Sequence, residues 1–305
     1  ITCRDWSSDV CSSDLGAHSH TGLSLALPQS STTYFWITAD LSISAGIGRT
    51  IYVKEWTTGN YTVSSGFKSG SAAAGGTQTF VAFASLASDY FRSNATGNWA
   101  TTATWQSSHD NVNWGTATLS PNSSANTITV SASTKVTVAS NVTVDEVTVN
   151  GTLAINGSVT LTVADNLGTD LVINNTLEKT GTGQVSYNPG ATASFASGSY
   201  YVHQNTTDSG SIPVASWHAN SYCVISGYTT NTTAPTGLGQ NFGNFEWNCP
   251  SQTGNISLDG ALTTISSNLK IASTGTGTLV LSGSGNLKLT IGGNQIGRAS
   301  CRERV

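Results

Sequence analysis

Between residues 127 and 163 the chain reads TITVSASTKVTVASNVTVDEVTVNGTLAINGSVTLTV, with apolar side chains on alternate positions. Ile128 and Val130, Val136 and Val138, Val142 and Val144, Val147 and Val149, Leu153 and Ile155, and Leu161 and Val163 form successive pairs. A period of two is that of a strand with one buried face. Gly, Asn or Ser breaks each run, and these are turn residues. The pattern therefore predicts strands of three to five residues, each ending at once in a turn. Stacked coils need only short strands, whereas a sandwich needs longer ones, so a β-solenoid is predicted. Asn–Gly or Asn–Asn flanked by Val, Leu and Ile recurs in residues 149–177 and, more loosely, in 254–293. That period is too irregular to give a coil number.

The predicted fold class is all-β: a small β-sandwich followed by a right-handed, pectin-lyase-like β-helix, with tandem β-sandwiches as the alternative. The first part carries longer alternating segments with aromatics, such as TYFWITADLSI, RTIYVKEW and TQTFVAFASL, joined by turns such as KSGSAAAGG. This places the sandwich at residues 16–86. The pattern breaks within ASDYFRSNATGN, and the solenoid is predicted over residues 87–295. Trp99, Trp105 and Trp114 crowd its first turn. They have two readings: a cap that covers the open end of the core, which the need to close a solenoid favours, or a platform on which sugars stack.

Only 9% of the residues are charged and the net charge is −4, which gives a polyanion no purchase, so no nucleic-acid partner is expected. Abundant Thr, Val and aromatics argue against disorder. No apolar run reaches the ~20 residues of a membrane span, so no membrane insertion is expected. The two tips differ from the body. RDWSSDVCSSDL (residues 4–15) brings three aspartates and a cysteine, and IGRASCRERV (296–305) brings three arginines. Both resemble reading frames of common sequencing adapters. Residues 1–15 and 296–305 are accordingly expected to lie outside the fold, leaving a fragment open at both ends. Of the 5 cysteines, Cys223 and Cys249 then remain. Their separation in sequence is close to the length of one coil, which makes them a candidate disulfide between neighbouring coils.

Chemistry is sparse. Asp145 and Glu146, read as neighbours on one strand, would point to opposite faces and form no pair. Asp165 and Asp170 flank a turn, and Lys135, Lys179, Lys270 and Lys288 are scattered. His18 and His20 share a strand face but have no third ligand nearby. GLGQNFG (237–243) opens no helix, and no phosphate loop is present. No catalytic, metal or cofactor-binding residue is assigned, and the chain is expected to be no enzyme.

DYFRSNATGNWATTATWQSSHDNVNWGTATLSP, NTITVSASTKVTVASNVTVDEVTVNGTLAING and SIPVASWHANSYCVISG resemble repetitive secreted or surface proteins of Bacteroidota that use type IX secretion. STTYFWITADLSISAGIGRTI resembles the small domain associated with the N-terminus of BNR-repeat neuraminidases, although no sialidase Asp-box or arginine triad is visible. The resemblance implies a secreted or cell-surface location and a structural, adhesive role, with extracellular glycans or other surface proteins as partners. The alternative is a carbohydrate-binding module or a polysaccharide-active β-helix.

Overall fold

Strands of two to five residues, separated by turns, make up nearly everything that the computed structural model describes, namely residues 47–48, 50–51, 75, 77–166, 168–282 and 288–297. No α-helix occurs among them; Thr102–Thr104 form a single 3-10 turn. The chain divides between Phe83 and Ala84 into two units.

The second unit is a β-helix. Its longest sheet is a parallel ladder of nine strands: Gly97–Asn98, Lys135–Val138, Thr152–Ile155, Thr176–Thr180, Tyr200–Gln204, Tyr222–Ser226, Asn244–Asn248, Leu269–Ser273 and Gln295–Gly297. A second face stacks Tyr90–Ser93, Thr127–Val130, Val147–Val149, Leu171–Ile173, Ala193–Phe195 and Ser216–Trp217, also in parallel. Val142–Val144, Thr160–Val163 and Gln184–Tyr187 form the third face of the early coils. The register sets the coil length. Thr152 lies opposite Thr176 and Thr176 opposite Tyr200, whereas the next partners are Tyr200 with Tyr222 and Tyr222 with Asn244, so these two coils are shorter by two residues before Phe245 opposite Leu269 restores the earlier length. This variation is why the sequence repeat looks degenerate.

Parallel register stacks equivalent positions into rows along the solenoid. One inward row of the long sheet reads Val136, Leu153, Leu177, Tyr201, Cys223, Phe245 and Leu269, all buried. The parallel inward row reads Val138, Ile155, Lys179, His203, Ile225 and Trp247. Two polar residues thus interrupt an otherwise apolar core. Corners stack too: Asn174 Nδ2 donates to Asn150 Oδ1 at 2.8 Å, and Asn268 Nδ2 to Asn244 Oδ1 at 3.0 Å. The recurrent asparagines are therefore amide ladders between coils, in addition to turn formers. At the Asn150 corner a Cβ on Gly151 would meet Ser131 O at 2.3 Å, so only glycine fits.

The N-terminal end of the core is closed by a short antiparallel insert. Trp105–Ser108 pairs antiparallel with Tyr90–Ser93 and with Gly115–Thr116. Trp99 and Trp105 are buried in the core, edge to face with centroids 4.9 Å apart. Trp105 Nε1 donates to Trp99 O at 2.7 Å, and Trp99 Nε1 to Pro121 O at 2.8 Å. A buried indole needs such a partner for its N–H, and both have one.

In the first unit, Thr50–Ile51 pairs antiparallel with Gln78–Thr79. Most of the expected 16–86 sandwich, and the segment expected to be foreign at 1–15, lie outside the described residues; Ser85, within the expected sandwich, is hydrogen-bonded to Ser107 and Thr118. At the other tip, Ile296 and Gly297 extend the last strand and pair with Lys270 and Ile271, while residues 298–305 lie outside the described residues.

Candidate functional site

The residues singled out from sequence do not converge on one site. Trp99 and Trp105 are buried, so neither offers a face to a sugar; this corrects the stacking reading and supports the cap. Trp114 is partly exposed, but the Arg92 guanidinium sits 4.2 Å from its ring centroid and occupies one face. Cys223 and Cys249 are both buried free thiols. The coil here is shorter than the spacing between them, so the register partner of Cys223 is Phe245. Cys249 lies four residues further along, roughly 13 Å by strand rise, too far for a bridge. It rests instead with Sγ 3.6 Å from Ile225 O. Burial raises both thiols above their ordinary pKa, which leaves them inert rather than nucleophilic.

Asp145 and Glu146 need a different correction. They sit at the corner between Val142–Val144 and Val147–Val149, and Glu146 takes a positive φ of 50°. The turn breaks the alternation that would have separated them, and Asp170 of the next coil joins them. One carboxylate oxygen from each of the three lies within 4.8 Å of the others. Burial, the charge of Asp145 and that of Asp170 raise the pKa of Glu146. Burial likewise raises Asp145, against the amide of Glu146. For Asp170 burial is outweighed by the amides of Thr192 and Asn166, which hold its pKa low. Asp145 Oδ1 accepts from its neighbour's N–H, and both Asp170 oxygens accept backbone N–H groups. These bonds give the two aspartates a structural role: Asp145 fixes its own turn, and Asp170 ties its corner to Thr192 of the next coil.

Two features of the long sheet have more to offer. At the ends of its strands, Thr180, Gln204, Ser226 and Asn248 occupy one row in four successive coils. With Thr206, Thr229 and Ser251 they line a groove of about 760 Å³, floored by Gly181, Gly227, Tyr228 and Pro250. Most of its lining residues carry a hydroxyl or amide, although most of the surface exposed to it is apolar, and no carboxylate or histidine lines it.

The second feature lies beneath the inward row. In TLEKT (Thr176–Thr180), alternation turns Leu177 and Lys179 to the core, so Lys179 is 1% exposed. Its Nζ makes no hydrogen bond. Burial lowers its pKa to about 8, against the upward pull of Asp208. His203, its register partner, is also fully buried. Ser209 O, 2.9 Å from Nε2, can only accept, so Nε2 carries the proton and Nδ1 accepts from the Tyr201 hydroxyl at 2.8 Å. Burial, then the Lys179 charge, drive the His203 pKa down to about 3. Asn205 Nδ2 donates to Gly181 O at 2.6 Å and to the Asp208 carboxylate. The turn bearing Gly210 closes over this cluster, where a pocket of about 330 Å³ is lined by Lys179, Thr182, Gln184, Asp208, Ser211 and Thr236 among others. Lys179 was legible as an inward position from its spacing to Leu177; the companions supplied by the 205–211 turn were not.

No protein-family model matches the chain, and no significant match is found among curated proteins or among solved structures.

Proposed function

We propose that the chain is a structural and adhesive, non-catalytic segment of a secreted or cell-surface bacterial protein, and that its solenoid holds an extended extracellular glycan in the groove at the strand ends. The observation that carries this reading is the row Thr180, Gln204, Ser226 and Asn248, which repeats a polar group once per coil, at a spacing of roughly 4.8 Å. A sugar chain laid along the solenoid axis would meet a fresh hydroxyl or amide at each coil. The rigid sheet beneath presets their positions, so little ordering entropy is spent on binding. The groove has no group suited to acid–base chemistry, which favours binding without cleavage. The sequence resemblance to exported Bacteroidota surface proteins supports the extracellular setting.

A polysaccharide-active β-helix is the second reading, favoured only by the raised pKa of Glu146 beside the lowered one of Asp170. A glycan array combined with a reducing-sugar assay separates the two. Binding without release of reducing ends is expected. Turnover that Glu146→Gln abolishes would transfer the function to the carboxylate corner.

A further inference from the structure

Two buried polar atoms without a hydrogen-bond partner, Lys179 Nζ and Asn205 Oδ1, belong to side chains that meet under Gly210. A Cβ at Gly210 would lie 2.5 Å from Asn205 Nδ2 and 2.7 Å from Lys179 Nζ, so no more than 5.2 Å separates the amine from the amide nitrogen. The Asp208 carboxylate already accepts from that amide and lines the same pocket as Lys179. The two side chains come from successive coils, since Lys179 is in register with His203 and Asn205 follows two residues later. An amine, a carboxamide and a carboxylate are thus gathered at the wall of one pocket, with glycine at a position where a side chain would intrude.

We propose that Lys179 and Asn205 are joined by an intramolecular isopeptide bond that staples these two coils, with Asp208 as the proton carrier. The lone pair of neutral Nζ attacks Asn205 Cγ and the Nζ–Cγ bond forms. Asp208 takes the proton from Nζ and delivers it to Nδ2. The Cγ–Nδ2 bond then breaks and ammonia leaves through the pocket mouth. Amine and carboxamide become a secondary amide and ammonia, so no oxidant or further reactant is required. Burial favours the first stage, because it keeps part of the lysine as free base near neutral pH. The product removes an unpaired buried ammonium from the core, which is costly to leave there.

The test is the mass of the denatured full chain, followed by peptide mapping. The expected mass is that of the sequence less one ammonia. Residues 136–270 contain one internal tryptic site, Lys179, so the linked chain yields that segment uncut. Chymotrypsin should release a branched peptide carrying Lys179 and Asn205. A succinimide at Asn150–Gly151 or Asn156–Gly157 would also lose ammonia, but would leave Lys179 open to trypsin. Asn205→Ala should restore both the full mass and the cleavage, and Lys179→Arg, which keeps the charge, should restore the mass. Asp208→Ala should slow bond formation by about a hundredfold or more, the scale of a lost proton carrier. Full mass with ready cleavage after Lys179 overturns the proposal, as does loss of water with the branch at Asp208.

Discussion

His203 shows what a single residue can report about this core. Alternation in Tyr200–Gln204 turns it inward, beside Tyr201 on the same face, and its two ring nitrogens are saturated by Tyr201 and Ser209. Burial first, and second the charge of Lys179 wherever that amine is unlinked, lower its pKa to about 3 from an ordinary 6.5, because the imidazolium would lose water. A base with a lowered folded pKa binds more protons when unfolded, so stability rises with pH between about 3 and 6.5 and is lost as pH falls through that window. At pH 4 the loss amounts to about 3 kcal/mol. His203→Gln, which keeps a donor for Ser209 O, should flatten this acid limb while changing stability little above pH 7. Urea titrations of both proteins at pH 4 and pH 7.5 measure the difference. A difference that does not change with pH would mean that His203 titrates normally.

At the scale of the element, period-two patterning was enough to find the strands: Ile128–Val130, Val136–Val138 and Leu153–Ile155 are buried where the alternation placed them. What the pattern could not supply was register, because each strand pairs with one a whole coil away and turns of variable length set the offset. Hence the solenoid was legible, whereas the true partners of Cys223 and Cys249 were not. The corner of Asp145 and Glu146 failed for a related reason, since a positive φ ends a strand without a glycine to announce it. The corners are also where substitution is least tolerated. A Cβ on Gly151 would strike Ser131 O at 2.3 Å and Thr134 O at 2.4 Å, both backbone atoms that cannot rotate away. On Gly239 it would meet only Ala261 O, at 3.9 Å. Gly151→Ala should therefore cost ~1–3 kcal/mol, as overpacking does, and Gly239→Ala close to nothing. Paired thermal melts decide it; equal effects at the two sites would mean that the coils shift apart without strain.

Across the whole molecule, stacking in register turns each position of a coil into a line along the axis, and this makes function readable by row. The inward rows hold the core, interrupted at Lys179 and His203; the outward row at Tyr200 and Tyr222 is spent on mutual stacking at 4.7 Å, which covers the facing sides of the two rings. The row through Gln204, Ser226 and Asn248 is different, because its polar groups face a groove and belong to no core. A ligand lying along it would touch several coils at once and owe its affinity to many small contacts. A net hydrogen bond contributes about 1 kcal/mol, so Gln204→Ala and Asn248→Ala should each weaken glycan binding about fivefold. The two sites are separated by two coils, about 10 Å by strand spacing, so the double substitution should multiply the losses to roughly twenty-five-fold. Because both side chains point away from the core, the melting temperature should stay within a degree or so. Isothermal titration against the best glycan of an array, beside melts of the same three proteins, reads both quantities. Unchanged affinity in the double variant would move the binding face to another row of the solenoid.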